Sequence, residues 1–282
     1  MANLTARLRA LAEHPHLLPK FARWWMQSTA GREPSFTADG LTFRGFPNFS
    51  AYAGAWRHMM REDERAFFRH HVNGDAILFD VGANFGTYAS LFARMAPQAT
   101  VFAFEPHPRT AAMCRRNILS NELAQIELID MAVGREIGTI GFTSHGIPGT
   151  ERIAVGEDAK LTVPVTTLDE FCSQRVIKAI DFIKIDVEGA ELDVLEGGRS
   201  LFERCAVRLG LIEVCPANLE AFGRSVDDMI DWLAEVGYEL RTLNVDSEDG
   251  VGSLFPRGID DRAFVTNAVF MAADCHAAER VR

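Results

Sequence analysis

Residues 76–96, AILFDVGANFGTYASLFARMA, constrain the fold more than any other stretch of the chain. Ala76 to Phe79 is a short apolar run of the kind a strand buried on both faces needs, and Asp80 closes it ahead of Gly82 and Gly86. The period then changes: Tyr88, Leu91, Phe92 and Met95 recur at helical spacing until Pro97 stops the segment. The glycine pair is therefore the turn between a strand and a helix. Such a turn cradles an anionic or polar ligand, because the missing side chains let it approach amides that the helix leaves unpaired.

From Ile77 onward this pattern repeats. Candidate strands over 77–81, 100–104, 126–133, 182–187, 207–214, 239–243 and 265–271 alternate with candidate helices over 87–96, 108–120, 168–179, 192–202 and 226–236. The last helix has Ser225 at its N-cap, Asp228 three residues on and Gly237 just past its end. The alternation predicts an α/β fold built on a mostly parallel, doubly wound sheet of seven strands across residues 76–275. Two segments break the rhythm. Residues 134–166 hold two short β-like runs around a glycine-rich loop, an insertion at the edge of the fold, and 246–262 read as a long polar loop.

Ahead of this domain, residues 1–75 form an extension. Leu4, Leu8 and Leu11, then Leu17, Phe21, Trp24 and Trp25, mark amphipathic helices. Five basic residues against Glu13 give the first 32 positions a net charge of +4, leaving −14 for the rest, so the arm is expected on the acidic body or on a second subunit of a homo-oligomer, with a membrane surface as the weaker reading. Phe36, Phe43, Phe46, Phe49, Tyr52 and Trp56 fall among turn formers, an aromatic hairpin that serves equally as a lid or as a satellite core. Residues 60–73 read as a helix carrying solvated or capping His70 and His71.

The net charge of −10 argues against a duplex nucleic-acid partner, whose phosphates need a basic face. No apolar run reaches membrane-spanning length. Five scattered cysteines without a CxxC pair suggest neither a disulfide framework nor a zinc site, and the first residues lack a secretory apolar core, so a cytoplasmic setting is expected.

In open α/β sheets ligands bind beyond the carboxyl ends of the strands, which directs attention to the residues closing each one. Asp80, Gly82, Asn84 and Gly86 close the first. Glu105, ahead of Pro106, closes the second and lies 23 residues past Gly82, the spacing at which an acid receives a ribose hydroxyl pair. The glycines do not make GxGxxG and the chain has no GxxxxGK[ST], so a dinucleotide or a P-loop nucleotide is disfavoured. A nucleoside carrying an amino-acid tail fits better, and S-adenosylmethionine has that shape. Asp186, Glu188 and Glu191 close the fourth strand and Glu213 the fifth. These acids can orient a substrate hydroxyl or accept its proton, and four on one rim also suit a divalent cation. His107 and His145 are accessory candidates.

DVGANFGTYA, FAFEPHPRTAAMCRRN, IDMAVG, TLDEF and above all IKIDVEGAELDVLEGG, followed by LIEV and GYEL, resemble the FkbM family of S-adenosylmethionine-dependent methyltransferases over roughly residues 76–243. The resemblance implies a Rossmann-like class I methyltransferase fold with an antiparallel last strand, and O-methylation of a small molecule such as a sugar, a polyketide or another secondary metabolite. It implies a cofactor loop of Asp80, Gly82, Asn84 and Gly86, a ribose acid at Glu105 beside Pro106, and an adenine edge at Asp130, Met131 and Ala132. Asp186 with Glu188 would then form the rim of the reaction centre, Asp186 also touching the cofactor, while Glu213 stands as a third catalytic candidate on its place at the end of the fifth strand. Asn84 stands where the general methyltransferase pattern prefers a third glycine. The rival readings are a nicotinamide-dependent oxidoreductase and a non-catalytic nucleoside-binding subunit.

Overall fold

A computed structural model describes residues 18–143, 152–153 and 161–273; the leucine stripe at positions 4, 8 and 11, His145 and Cys275 lie outside them. The extension runs α1 (Leu18–Thr29), β1 (Ser35–Ala38), β2 (Leu41–Arg44), α2 (Phe49–Met60) and α3 (Glu62–His71). There follow β3 (Ile77–Val81), α4 (Thr87–Met95), β4 (Thr100–Phe104), α5 (Pro108–Ser120), β5 (Ile126–Ile129) and β6 (Ala132–Val133). Next come β7 (Gly138–Thr143), β8 (Arg152–Ile153), β9 (Leu161–Thr166), α6 (Leu168–Gln174), β10 (Phe182–Ile185), α7 (Glu191–Glu196) and α8 (Arg199–Glu203). The chain continues through β11 (Leu209–Val214), α9 (Pro216–Ala221), α10 (Val226–Glu235), β12 (Tyr238–Leu243), β13 (Val251–Leu254) and β14 (Thr266–Ala272).

The main sheet has the order β13-β12-β14-β11-β10-β3-β4-β5. From β5 to β11 neighbours are parallel, and β14 lies antiparallel between β11 and β12. The winding reverses between β3 and β10, which opens a crevice at their carboxyl ends. Eight strands form where seven are expected, because β13 comes from the segment read as a loop. Its sequence, VGSL, carries no buried apolar face; it becomes a strand only by pairing with the edge of β12.

Three further expectations are corrected. The run 126–133 is not one strand: it bends at Asp130, leaving β5 in the main sheet and β6 in a second sheet ordered β6-β9-β7-β8. The 134–166 insertion is thus mostly sheet. The helix expected over 192–202 breaks at Gly197, where a Cβ would lie 2.0 Å from the Gly134 carbonyl oxygen, so only glycine lets the helix pass this close to the insertion. The aromatic hairpin ends at Arg44, and the residues after it form α2, capped by the Asn48 side chain accepting from the Ala51 amide. Its aromatics belong to the main core: Phe36, Phe43, Phe46 and Tyr52 are buried in one cluster with Leu78, Phe92, Phe182 and Val269. At about 1.5–3 kcal/mol per buried side chain, this extension stabilises the sheet it covers. The opposite face buries Phe79, Phe104, Phe171, Phe202 and Phe270 under α6 to α10.

Two asparagines four apart, Asn117 on α5 and Asn121 at its C-cap, fasten the hairpin. Asn121 accepts from the Thr42 amide and donates to the Thr42 carbonyl, while Asn117 does the same with Arg44 and also donates to the Phe85 carbonyl at 3.0 Å. Side-chain amides thereby satisfy the edge of β2 as a neighbouring strand would, and tie it to the glycine loop. Among the described residues no helix is long and apolar enough to cross a membrane. On α1, Phe21 and Trp24 pack against Phe49, while Leu18, Trp25 and Met26 are exposed.

Candidate active site

The strand-to-helix turn is drawn tight by backbone bonds. Gly82 (φ 87°) and Ala83 both donate to the Phe104 carbonyl, at 3.0 and 2.9 Å, and Gly86 (φ 79°) donates to Ala83 at 2.8 Å. Asn84, in place of a third glycine, takes a left-handed conformation at φ 51° that asparagine tolerates better than most side chains. Glu105 braces the loop from β4: one carboxylate oxygen accepts from the Asn84 amide at 3.0 Å, the other from the His107 amide at 2.9 Å. These two bonds orient the Glu105 carboxylate at the rim of the glycine loop.

A cavity of about 430 Å³ opens beyond the carboxyl ends of β3, β4, β10 and β11. Gly82, Asn84, Glu105, Pro106, Met131, Ala132, Asp186, Glu188 and Glu213 line it, so nine of the predicted positions meet in one chamber. Asp80, Gly86, Asp130 and Glu191 do not line it. Asp80 is buried behind the loop, where it accepts from the Ala89 amide at 2.8 Å and anchors the start of α4; burial pushes its pKa up to about 7. Gly86 backs onto Cys114, whose Sγ would lie 2.8 Å from an added Cβ. Asp130 points outward and pairs with Arg115 at 2.8 Å, because the bend between β5 and β6 turns it away while presenting Met131 and Ala132. Of the accessory histidines, His107 lines the cavity.

The acids at the opposite wall divide by environment. Glu188 (φ 58°) accepts from the Asn218 side-chain amide at 3.0 Å. Glu191 is buried and accepts from the Val187 and Gly189 amides, so it holds the turn. Burial raises Glu191 to about 7; burial and the Asp186 charge raise Glu213 to about 9, which keeps Glu213 protonated at neutral pH. Among the described residues no three His, Cys, Asp or Glu side chains converge as a metal ion would require. The cation among these acids is instead Lys184, fully buried, with Nζ 3.0 Å from Asp186.

Lys184, and the cavity-lining residues of α2 and its N-cap, among them Asn48, Ser50 and Arg57, were not singled out as site residues from the sequence. For Lys184 the signal was available: one charged residue inside FIKI, a strand otherwise wholly apolar. For α2 the signal was partial: the aromatic segment that contains it has a lid as one of two equal readings, and the tertiary fold is what lays Ser50, Ala51 and Arg57 along the cavity.

A reversed parallel sheet with a glycine bend and an acid closing the next strand defines a Rossmann-like domain of the class I methyltransferase type. Residues 80–240, more than half of the chain, match the methyltransferase FkbM domain, and the chain belongs to that family. It is 33% identical over 143 residues to the 2-O-methyltransferase NoeI of Sinorhizobium fredii, covering 44% of this chain and 58% of that protein. It is 28% identical over 182 residues to the hexuronic acid methyltransferase AglP of Haloferax volcanii, covering 63% and 70%. To the 31-O-demethyl-FK506 methyltransferase FkbM of Streptomyces tacrolimicus it is 30% identical over 182 residues, covering 51% and 69%. The chain spans 58% of NoeI's length.

Proposed function

We propose that this chain transfers the methyl group of S-adenosylmethionine to a hydroxyl oxygen of a small molecule. One observation carries the reading: the glycine loop, Glu105, Met131 with Ala132, and the acids Asp186, Glu188 and Glu213 share one cavity of about 430 Å³, within the range that encloses ligands of this size. The donor set suits the cofactor. Glu105 is oriented to receive ribose hydroxyls, Met131 and Ala132 offer an apolar edge to a base, and the acidic wall complements a sulfonium and an ammonium. When bound, the cofactor supplies a methyl group already activated on sulfur.

The chain's own residues then have limited work. They align the acceptor oxygen, exclude water and receive a proton. Asp186 and Glu188 are the groups to orient the acceptor hydroxyl and take its proton. Glu213, protonated at neutral pH, donates a hydrogen bond to a second acceptor oxygen. Two relatives' names place the methyl on oxygen and a third names a hexuronic acid, which favours an oxygen-rich small acceptor. The net charge of −10 disfavours nucleic acid, and the free thiols of Cys114, Cys172, Cys205 and Cys215 suit a reducing cytoplasm.

Calorimetry with S-adenosylmethionine against NAD tests cofactor choice, and mass spectrometry of a host extract given enzyme and isotopically labelled methyl donor tests transfer. Binding of NAD in preference, or no labelled product from an enzyme that binds the methyl donor, would overturn the proposal.

A further inference from the structure

On one face of the main sheet a row of polar side chains crosses a core that is otherwise apolar. Lys184 on β10 lies in register with Asp80 on β3 and Leu211 on β11; Glu213 follows two residues after Leu211 and lies in register with Asn267 on β14. Residues paired in register, or two apart on a strand, project to the same face, so four adjacent strands contribute Asp80, Lys184, Glu213 and Asn267 to one row. Leu78, Phe182, Leu209 and Val269 on the same face are apolar and buried.

Helices from either side of the glycine loop close over this row. Tyr88 of α4 places its ring 5.1 Å from Lys184 Nζ and donates its hydroxyl to Glu64 of α3. Glu64 is 3% exposed; its other oxygen accepts from the Asn267 side-chain amide and pairs with Arg61. The buried cluster thus runs from Arg61 at the surface through Glu64, Tyr88 and Lys184 to Asp186 at the cavity wall.

The geometry points to Lys184 as a positioning residue for the reaction proposed above: its ammonium holds the Asp186 carboxylate at the cavity wall, while Tyr88 and Glu64 hold the ammonium in place. Lys184 itself does not line the cavity and is 0% exposed, so it acts through Asp186 and does not meet the acceptor. Its charge is maintained: burial opposes it, but the nearby charges, Asp186 first and then Glu64, raise its pKa above the ordinary lysine value. Charge balance follows. Two cations, Lys184 and Arg61, serve two carboxylates, Asp186 and Glu64. Asp80 and Glu213, pushed up to about 7 and about 9 chiefly by burial, are left to carry protons. Buried ion pairs contribute little net stability compared with apolar packing. What this one supplies is an orientation for a single acid among the several that crowd the wall.

Asp186 shares its surroundings with Lys184, Asp80, Tyr88, Glu191 and Glu213, and Lys184 is the cation that meets its carboxylate, at 3.0 Å. Removing that cation favours the neutral acid, so the acid limb of the rate–pH profile must move upward. The test compares the wild type with Lys184→Met, Lys184→Arg and Asp186→Asn, using calorimetry for S-adenosylmethionine and labelled methyl transfer into host extract for the rate. Lys184→Met should leave cofactor affinity within about threefold, lower the rate about 100-fold as a misplaced group does, and raise the acid limb by about one pH unit. Lys184→Arg should recover most of the rate with the limb at the wild-type position. The proposal is overturned if Lys184→Met slows the reaction with the limb unmoved, or if cofactor affinity falls in step with the rate. Should Lys184→Met not fold, Asp186→Asn carries the test: loss of the acid limb is expected, and an unchanged profile overturns it.

Thermal melting without cofactor separates this inference from the proposed function. If Lys184 holds Asp186, the double variant Lys184→Met/Asp186→Asn melts no lower than Lys184→Met alone; fully additive losses overturn the pairing even where no methyl transfer is found.

Discussion

Gly82→Ala tests whether the glycine loop and the acidic wall are one rigid unit. At φ 87° a Cβ on residue 82 would lie 1.9 Å from the Asp186 carbonyl oxygen, a backbone atom, so the two segments must part by more than 1 Å to reach the 3.0 Å that real contacts respect. Neither can yield freely. The Gly82 amide is bonded to the Phe104 carbonyl, and the Asp186 amide donates to the Val81 carbonyl at 3.0 Å, so separation breaks the closing bonds of β3 against both neighbours. Left-handed strain adds about 1–2 kcal/mol and each lost backbone bond about 1 kcal/mol, giving a destabilisation of roughly 3–4 kcal/mol. Displacement of Asp186 by an ångström should slow methyl transfer about 100-fold beyond any loss of folded protein. Gly86→Ala is the control, since its φ is equally left-handed but its neighbour is the Cys114 Sγ at 2.8 Å, the end of a side chain that can turn away. It should cost about 1–2 kcal/mol with the rate nearly kept. Chemical denaturation and calorimetry with S-adenosylmethionine read both. If Gly82→Ala is no worse than Gly86→Ala in stability and in cofactor affinity, the coupling of loop to wall is refuted.

Glu105→Ala should weaken cofactor binding by tens of fold, about 2 kcal/mol for lost charged hydrogen bonds, and also lower stability by leaving the Asn84 and His107 amides without their acceptor; unchanged affinity by calorimetry would remove Glu105 from the site. Glu213 has a folded pKa of about 9 against an unfolded value near 4.5, so the folded protein binds a proton that the unfolded chain has released, and stability falls as pH rises through that window. Glu213→Gln should therefore melt near the wild type at about pH 4 and be more stable by on the order of 4–5 kcal/mol at about pH 8; an equal offset at both pH values would contradict this. Asn117→Ala removes the bonds to Arg44 and Phe85 and should cost about 3 kcal/mol, a drop in melting temperature on the order of 6–10 °C, with weaker cofactor binding as the loop loosens. Full stability would mean the hairpin is held by its aromatics alone.

The parts of the site that could be read in advance are those whose meaning is local. A buried strand, a glycine turn and a helix start within eleven residues of one another are recognisable as a ligand cradle, and Glu105 follows at a diagnostic spacing. Position along the chain does not fix where a side chain points. Asp80 and Asp130 occupy motif positions as Glu105 does, yet one is folded behind the loop onto the Ala89 amide and the other faces solvent and Arg115. Which way each turns depends on a helix start and a strand bend, features smaller than the uncertainty of reading elements from periodicity. β13 was hidden for the opposite reason: its residues have little strand character and pair only because the edge of β12 is there.

Alone, the order of residues determined the alternating α/β architecture, the glycine bend and the set of acids closing the strands, because hydrophobic period and glycine placement act over a few neighbouring positions. The tertiary structure decided which of those acids share a wall, that Lys184 stands charged among them, and that the aromatic extension packs into the sheet while α2 roofs the cavity. Those outcomes depend on residues from different strands and helices, some of them 203 positions apart as Glu64 and Asn267 are, meeting in the interior, where the partner that arrives sets a group's charge and direction.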